Sequence, residues 1–185
     1  MYRLSAACLA GLALLPMACG TGAPKHDAQI ASSRGFRLVL EMVCMPVVLD
    51  GQDFATAARA RGMTPMAPAS SPSGAAAQTY RLGFTGISAT RSEDGSCMIG
   101  VQNGDGAQLQ EVALASLAGQ GLVMNPAISG RPAVNDGVAS AYCSEGDRPL
   151  VLGIITPAIP STPGHALITT LYRASDPSPE VCPRG

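Results

Sequence analysis

Tryptophan is absent from this chain, and Phe, Tyr and Trp together supply only 4% of its 185 residues. A core built from it must be largely aliphatic, and little aromatic surface remains to line a ligand cavity. Charged residues are also scarce, at 14% against roughly 25% in ordinary soluble proteins. With 46% hydrophobic residues, the chain is no disordered polyelectrolyte. No uninterrupted apolar run reaches the length of a membrane span, which excludes a polytopic membrane protein. Twelve basic residues stand against 13 acidic ones, for a net charge of −1. There is no basic surplus to attract nucleic acid and no acidic tail to attract a cationic partner. The length suits a single domain.

What the chain does have begins at its N-terminus. Residues 1–18 have the build of an export signal: Arg3 is a minimal positive region, and Leu4–Leu15 is an uncharged run dominated by Leu and Ala. Such a run is too short to cross a bilayer. Leu15-Pro16-Met17-Ala18-Cys19-Gly20 resembles the bacterial lipobox, in which the signal is cut before a Cys that receives lipid. Pro16 stands where that pattern has Leu, and Leu15 lies one place further back. Cleavage after Gly20, with Ala18 and Gly20 as the small pair, is the rival and would release a soluble secreted protein. Residues 19–33 then form a flexible leader.

Of six cysteines, Cys8 falls in the signal and Cys19 is the lipidation candidate. Cys44, Cys97, Cys143 and Cys182 remain. There is no CxxC and no His beside a Cys, so the expectation is two disulfides in an oxidising compartment and no metal site. Four cysteines allow three connectivities, and the spacing does not choose among them. We favour Cys44–Cys97, which would staple a helix to the sheet, with Cys143–Cys182, which would tie down a Pro-rich tail.

Apolar residues Phe36, Val39, Leu40, Val43 and Cys44 recur at helical spacing, predicting a helix over Phe36–Met45 closed by Pro46. Asp50 is the expected N-cap of a second helix, Gly51–Arg61, with Asp53 at its third position and Gly62 as its stop. Residues 63–77 hold three prolines among Ala, Ser and Gly and predict a mobile connection. Gln78–Thr90 alternates with Tyr80, Leu82 and Phe84 on one face, and Gly83 and Gly86 suggest a bulge. A turn at Asp94-Gly95 leads to a return strand, Ser96–Val101. Asp105 can cap a helix over Ala107–Ala118. Strands are expected at Leu122–Ile128, Val138–Cys143, Leu150–Thr156 and Ala166–Tyr172, before an irregular tail over residues 175–185. This order predicts one α+β domain over residues 34–185. Its sheet is mostly antiparallel, with two N-terminal helices and one helix inserted after a β-hairpin.

Residues that carry chemistry are few. His26 lies in the leader; His165 precedes the last strand. A Ser-His-Asp set is available in composition only, because no G-x-S-x-G elbow occurs. Gly100-x-x-x-Gly104-x-Gly106 before a helix has the outline of an anion loop, but Asp105 would repel phosphate, and a strand-to-helix turn accounts for it. Met42 with Met45, and Met63 with Met66, are thioether pairs of the kind that hold Cu(I), and equally ordinary core filler. No acid pair has the pattern of a general acid/base couple.

The succession around Phe36, Cys44, Pro46, Phe54, Gly62, Cys97 and the Leu109–Leu117 helix resembles small uncharacterised exported (lipo)proteins of proteobacteria, over residues 34–120. That resemblance favours joining Cys44 to Cys97, and it brings no activity with it. The expectation is an exported, lipid-anchored protein facing the periplasm, a non-enzymatic binding or structural module without a cofactor. Its partners would be the bacterial membrane, through the anchor, and an envelope protein, with no nucleic acid. The alternative is a small periplasmic hydrolase or accessory subunit using His165, and a third reading is a small-ligand or metal carrier.

Overall fold

The computed structural model describes residues 32–67, 77–125, 128–133, 137–157, 164–174 and 182. The stretch read from sequence as an export signal and most of that read as a leader therefore lie outside the described residues, as do residues 68–76 of the Pro-rich connection and residues 175–185 except Cys182.

The first helix, α1, covers residues 32–50 and runs straight through Pro46. Proline lacks a donor and collides with the carbonyl four residues back, which is why it was expected to end the helix. Here a π-turn over Leu40–Cys44 precedes it, with the Met45 N–H donating to the Leu40 carbonyl five residues back. The widened turn accommodates the ring. Asp50 is consequently the last residue of α1 rather than a cap. Asp53 takes the N-cap role for α2, Phe54–Ala60, where its carboxylate accepts from the Thr56 N–H at 2.8 Å and the Thr56 hydroxyl at 2.7 Å. Ser32 and Ser33, assigned to the leader from sequence, already belong to α1.

The strands are β1 (Thr64–Pro65), β2 (Gln78–Arg81), β3 (Ile87–Arg91), β4 (Cys97–Val101), β5 (Val123–Met124), β6 (Arg131–Pro132), β7 (Val138–Cys143), β8 (Leu150–Thr156) and β9 (Leu167–Arg173). They form one sheet in the order β1-β2-β3-β4-β9-β8-β7-β5, with β6 also paired to β7, and every pairing is antiparallel. Helix α3, Gly106–Ser116, is capped by Asp105 as expected and joins the two halves of the sheet. The α+β class holds.

Further expectations change, and of the strand expected over Leu122–Ile128 only β5, Val123–Met124, forms among the described residues. Residues 63–67 are not a loose connection: Met63 is buried, and β1 pairs with β2. The long strand over Gln78–Thr90 is instead a hairpin, β2–β3. The chain turns over at Gly83 and Gly86, whose φ angles of 50° and 73° are left-handed and suit glycine. The Thr85 hydroxyl donates to the Leu82 carbonyl at 2.6 Å, and the Leu82 N–H donates to the Ile87 carbonyl at 3.0 Å, closing the turn.

One face of the sheet is covered by α1 and α3. Phe36, Val39, Leu40, Val43 and Cys44 are all fully buried, as their spacing predicts, against Ile87, Ile99, Leu152, Ile154, Leu167 and Leu171. Thr169 sits within this apolar layer, in register with Ile99 and Ile154, only 2% exposed. Its hydroxyl has no hydrogen-bond partner among the described residues. Thr169→Val keeps the shape and removes the unpaired oxygen, so it is expected to raise stability by about 1 kcal/mol. Thermal denaturation followed by circular dichroism checks this; an unchanged or lowered midpoint would show that the hydroxyl is not a cost.

Candidate functional site

The cysteines are the first residues the fold brings together. Cys44 ends the π-turn of α1, and Cys97 opens β4 directly beneath it. They form a disulfide with Cα atoms 5.5 Å apart. Cys143 ends β7 and bonds Cys182 of the tail at a Cα separation of 5.8 Å. Cys182 packs with Val151 and Ala174 in a small cluster apart from the main core, with Tyr172 against it. The observed connectivity is the favoured one. Cys19 lies outside the described residues.

His165 precedes β9, half-buried, with its ring laid over Gly100 of β4. A Cβ on Gly100 would meet ring atoms Cδ2 and Nε2 at 2.9 Å and the Ser88 hydroxyl at 3.3 Å. Any larger residue here would have to displace the His165 ring. Ser88 and His165 thus flank the same point of the sheet, but no hydrogen bond joins them and no carboxylate orients the ring among the described residues. The arrangement lacks the links that make a nucleophile–base pair.

The glycine-rich turn before α3 is explained by capping. The Asp105 carboxylate accepts from the Gln108 N–H at 3.1 Å and occupies the helix N-terminus where an anion would sit. The acids with resolved shifts have similar causes. Asp53 is held below its usual range by its bonds from Thr56, and Asp94 by the N–H and side chain of Ser96. Burial, with Asp94 nearby, pushes the Tyr172 hydroxyl upward. The two carboxylate shifts reflect bonds that close a helix cap and a turn.

An open groove of about 250 Å³ lies between α1 and α2, lined by Met42, Asp53, Thr56 and Arg61 among others. It is smaller than most small-molecule sites, and its carboxylate is already committed to Thr56. Met45 packs against the core while Met42 is exposed; Met63 is buried while Met66 is exposed. Neither methionine pair presents both thioethers to one open surface. Among the described residues no group of His, Cys, Asp and Glu is placed to hold a metal ion, and no helix is long and apolar enough to cross a membrane.

Sequence alternation missed one surface feature. Phe84, placed on the Tyr80 face from spacing, stands at the tip of the β2–β3 hairpin, completely exposed. The signal that could have found it is the Gly83-x-x-Gly86 spacing around it.

Set against known proteins, the chain matches no family model, no curated protein and no solved structure. The resemblance to exported (lipo)proteins therefore rests on the sequence features of residues 34–120.

Proposed function

We propose that this chain is an exported envelope protein, anchored by lipid on Cys19 and facing the periplasm, which acts as a non-enzymatic binding or structural module. The observation that carries this reading is the pair of disulfides, Cys44–Cys97 and Cys143–Cys182, in a chain whose first residues have the build of an export signal. Disulfides persist in the periplasm and are rare in the cytosol. The hydrolase alternative draws on the Ser88 hydroxyl beside His165 and lacks a hydrogen-bonded relay.

Intact mass of the protein extracted from its host membranes, with and without reduction, tests the reading. The expected result is a chain beginning at Cys19 with a diacylglyceryl-sized addition, gaining the mass of four hydrogens when its two disulfides are reduced. A chain beginning at Thr21 without lipid would overturn the anchor. No mass gain on reduction would overturn the assignment to an oxidising compartment.

A further inference from the structure

The protein has three phenylalanines and no tryptophan. Phe36 and Phe54 are buried; Phe84 is 100% exposed at the β2–β3 tip. Its turn is hydrogen-bonded on both sides, so the ring is presented by a braced loop. The Arg81 guanidinium lies 6.0 Å from the Phe84 ring centroid. An apolar ring with a cation beside it suits the boundary of a bilayer, where the ring enters the acyl region and the guanidinium meets lipid phosphate.

Two further observations point the same way. The chain coming from Cys19 enters the domain at this end: Gly35 of α1 lies against Leu82 and Ile87 at the base of the hairpin, and Ser32 lies near Gly104. Residues 20–31 separate Cys19 from α1, a reach of at most about 45 Å fully extended. Charge is also divided along the sheet. Among the described residues, this end exposes Arg34, Arg81 and Arg131 against Asp105. The opposite end carries Glu93, Asp94, Glu145 and Asp147 exposed, against exposed Arg148 and Arg173 and half-buried Arg91, so acids outnumber arginines there by one. Arg81 and Arg131 stand in the same register row toward opposite edges of the sheet, joined through Ser88, Gly100, Ile168, Ile155 and Ala139.

We propose that the Phe84 turn is a second membrane contact, which inserts its ring at the headgroup–acyl boundary of an anionic bilayer and orients the domain with the β2–β3 hairpin end, where arginines outnumber acids, toward the lipid. The proposal rests on the anchor reading. One ring binds a membrane weakly alone, and the anchor supplies the local concentration that makes the contact persist.

The absence of tryptophan makes the test direct. Phe84→Trp in the full chain places the only indole at the tip, and full exposure there means no core packing changes. Val123→Trp places it at an exposed position on β5, which pairs at the Cys143 end of β7, away from the hairpin tip. Each lipidated variant is reconstituted in phosphatidylethanolamine–phosphatidylglycerol vesicles, with and without brominated acyl chains. The expected result is blue-shifted emission quenched by shallow bromines for Phe84→Trp, and water-like, unquenched emission for Val123→Trp. Equal behaviour of the two variants in a chain whose mass carries lipid would overturn the membrane contact while leaving the anchor intact. If the mass shows no lipid, the anchor reading fails separately. The soluble variant titrated with the same vesicles then decides the contact, which stands on a quenched blue shift and falls without one. A concentration-dependent blue shift before any vesicle is added would assign the ring to a second copy of the chain and overturn the proposal.

Discussion

Replacing Cys44 and Cys97 together by alanine is expected to lower the stability of the domain by about 4 kcal/mol on the chain-entropy estimate for a disulfide loop of this size. The bridge closes a loop whose ends are 53 residues apart in sequence. Between them lie α2, the connection and the β2–β3 hairpin, all of which gain freedom in the unfolded chain once the bond is gone. Both cysteines are also buried between α1 and the sheet, so no slack in the native state absorbs the loss. Urea denaturation followed by circular dichroism measures the effect. At a denaturant slope of about 2 kcal/mol/M, the midpoint should fall by roughly 2 M. The double alanine variant of Cys143 and Cys182 is the internal comparison. The same chain-entropy estimate gives it nearly the same value, so any smaller loss comes from the tail gaining freedom in the native state as well, while β7, β8 and β9 keep their pairing. Equal losses would mean that the freed tail gains nothing in the native state.

Phe36→Ala should cost about 3–5 kcal/mol, the range for emptying a fully buried phenylalanine site. Phe36 is 0% exposed and lies on the face of α1 that covers the sheet. The close packing of the surrounding core limits how far the site can collapse, so a cavity remains. Phe84→Ala removes the same side chain and should change stability by less than about 0.5 kcal/mol, since nothing buried is lost. The pair separates a core role from a surface role within one experiment. A large loss at Phe84 would mean that its ring packs in solution, which would also sink the membrane contact.

These two phenylalanines show where local patterning runs out. At α1, apolar residues at helical spacing leave one face to bury, and Phe36, Val39, Leu40, Val43 and Cys44 are all in the core. At Gln78–Thr90, alternation has the same period whether a strand continues or turns back on itself. Tyr80 and Phe84 share a parity, yet Tyr80 is buried and Phe84 is not, because the turn at Gly83 and Gly86 ends the parity between them. The Pro46 rule failed for a related reason. It assumes regular α geometry ahead of the proline, and the π-turn over Leu40–Cys44 removes that assumption. The resulting helix runs on to Asp50 and moves the capping role three residues along, to Asp53.

The α+β class, the bounds of β7 and β8, the Asp105 cap and the burial of the α1 stripe follow from residue order alone, because each depends on periodicity or on a side chain reaching its own backbone. The pairing of four cysteines, the meeting of His165 with Gly100 and Ser88, and the placing of Phe84 at the end where α1 begins depend on distances between segments far apart in the chain. Only the packing of α1 and α3 on the nine-stranded sheet sets those distances. They belong to the tertiary structure because contacts between distant segments leave no period in the sequence to read.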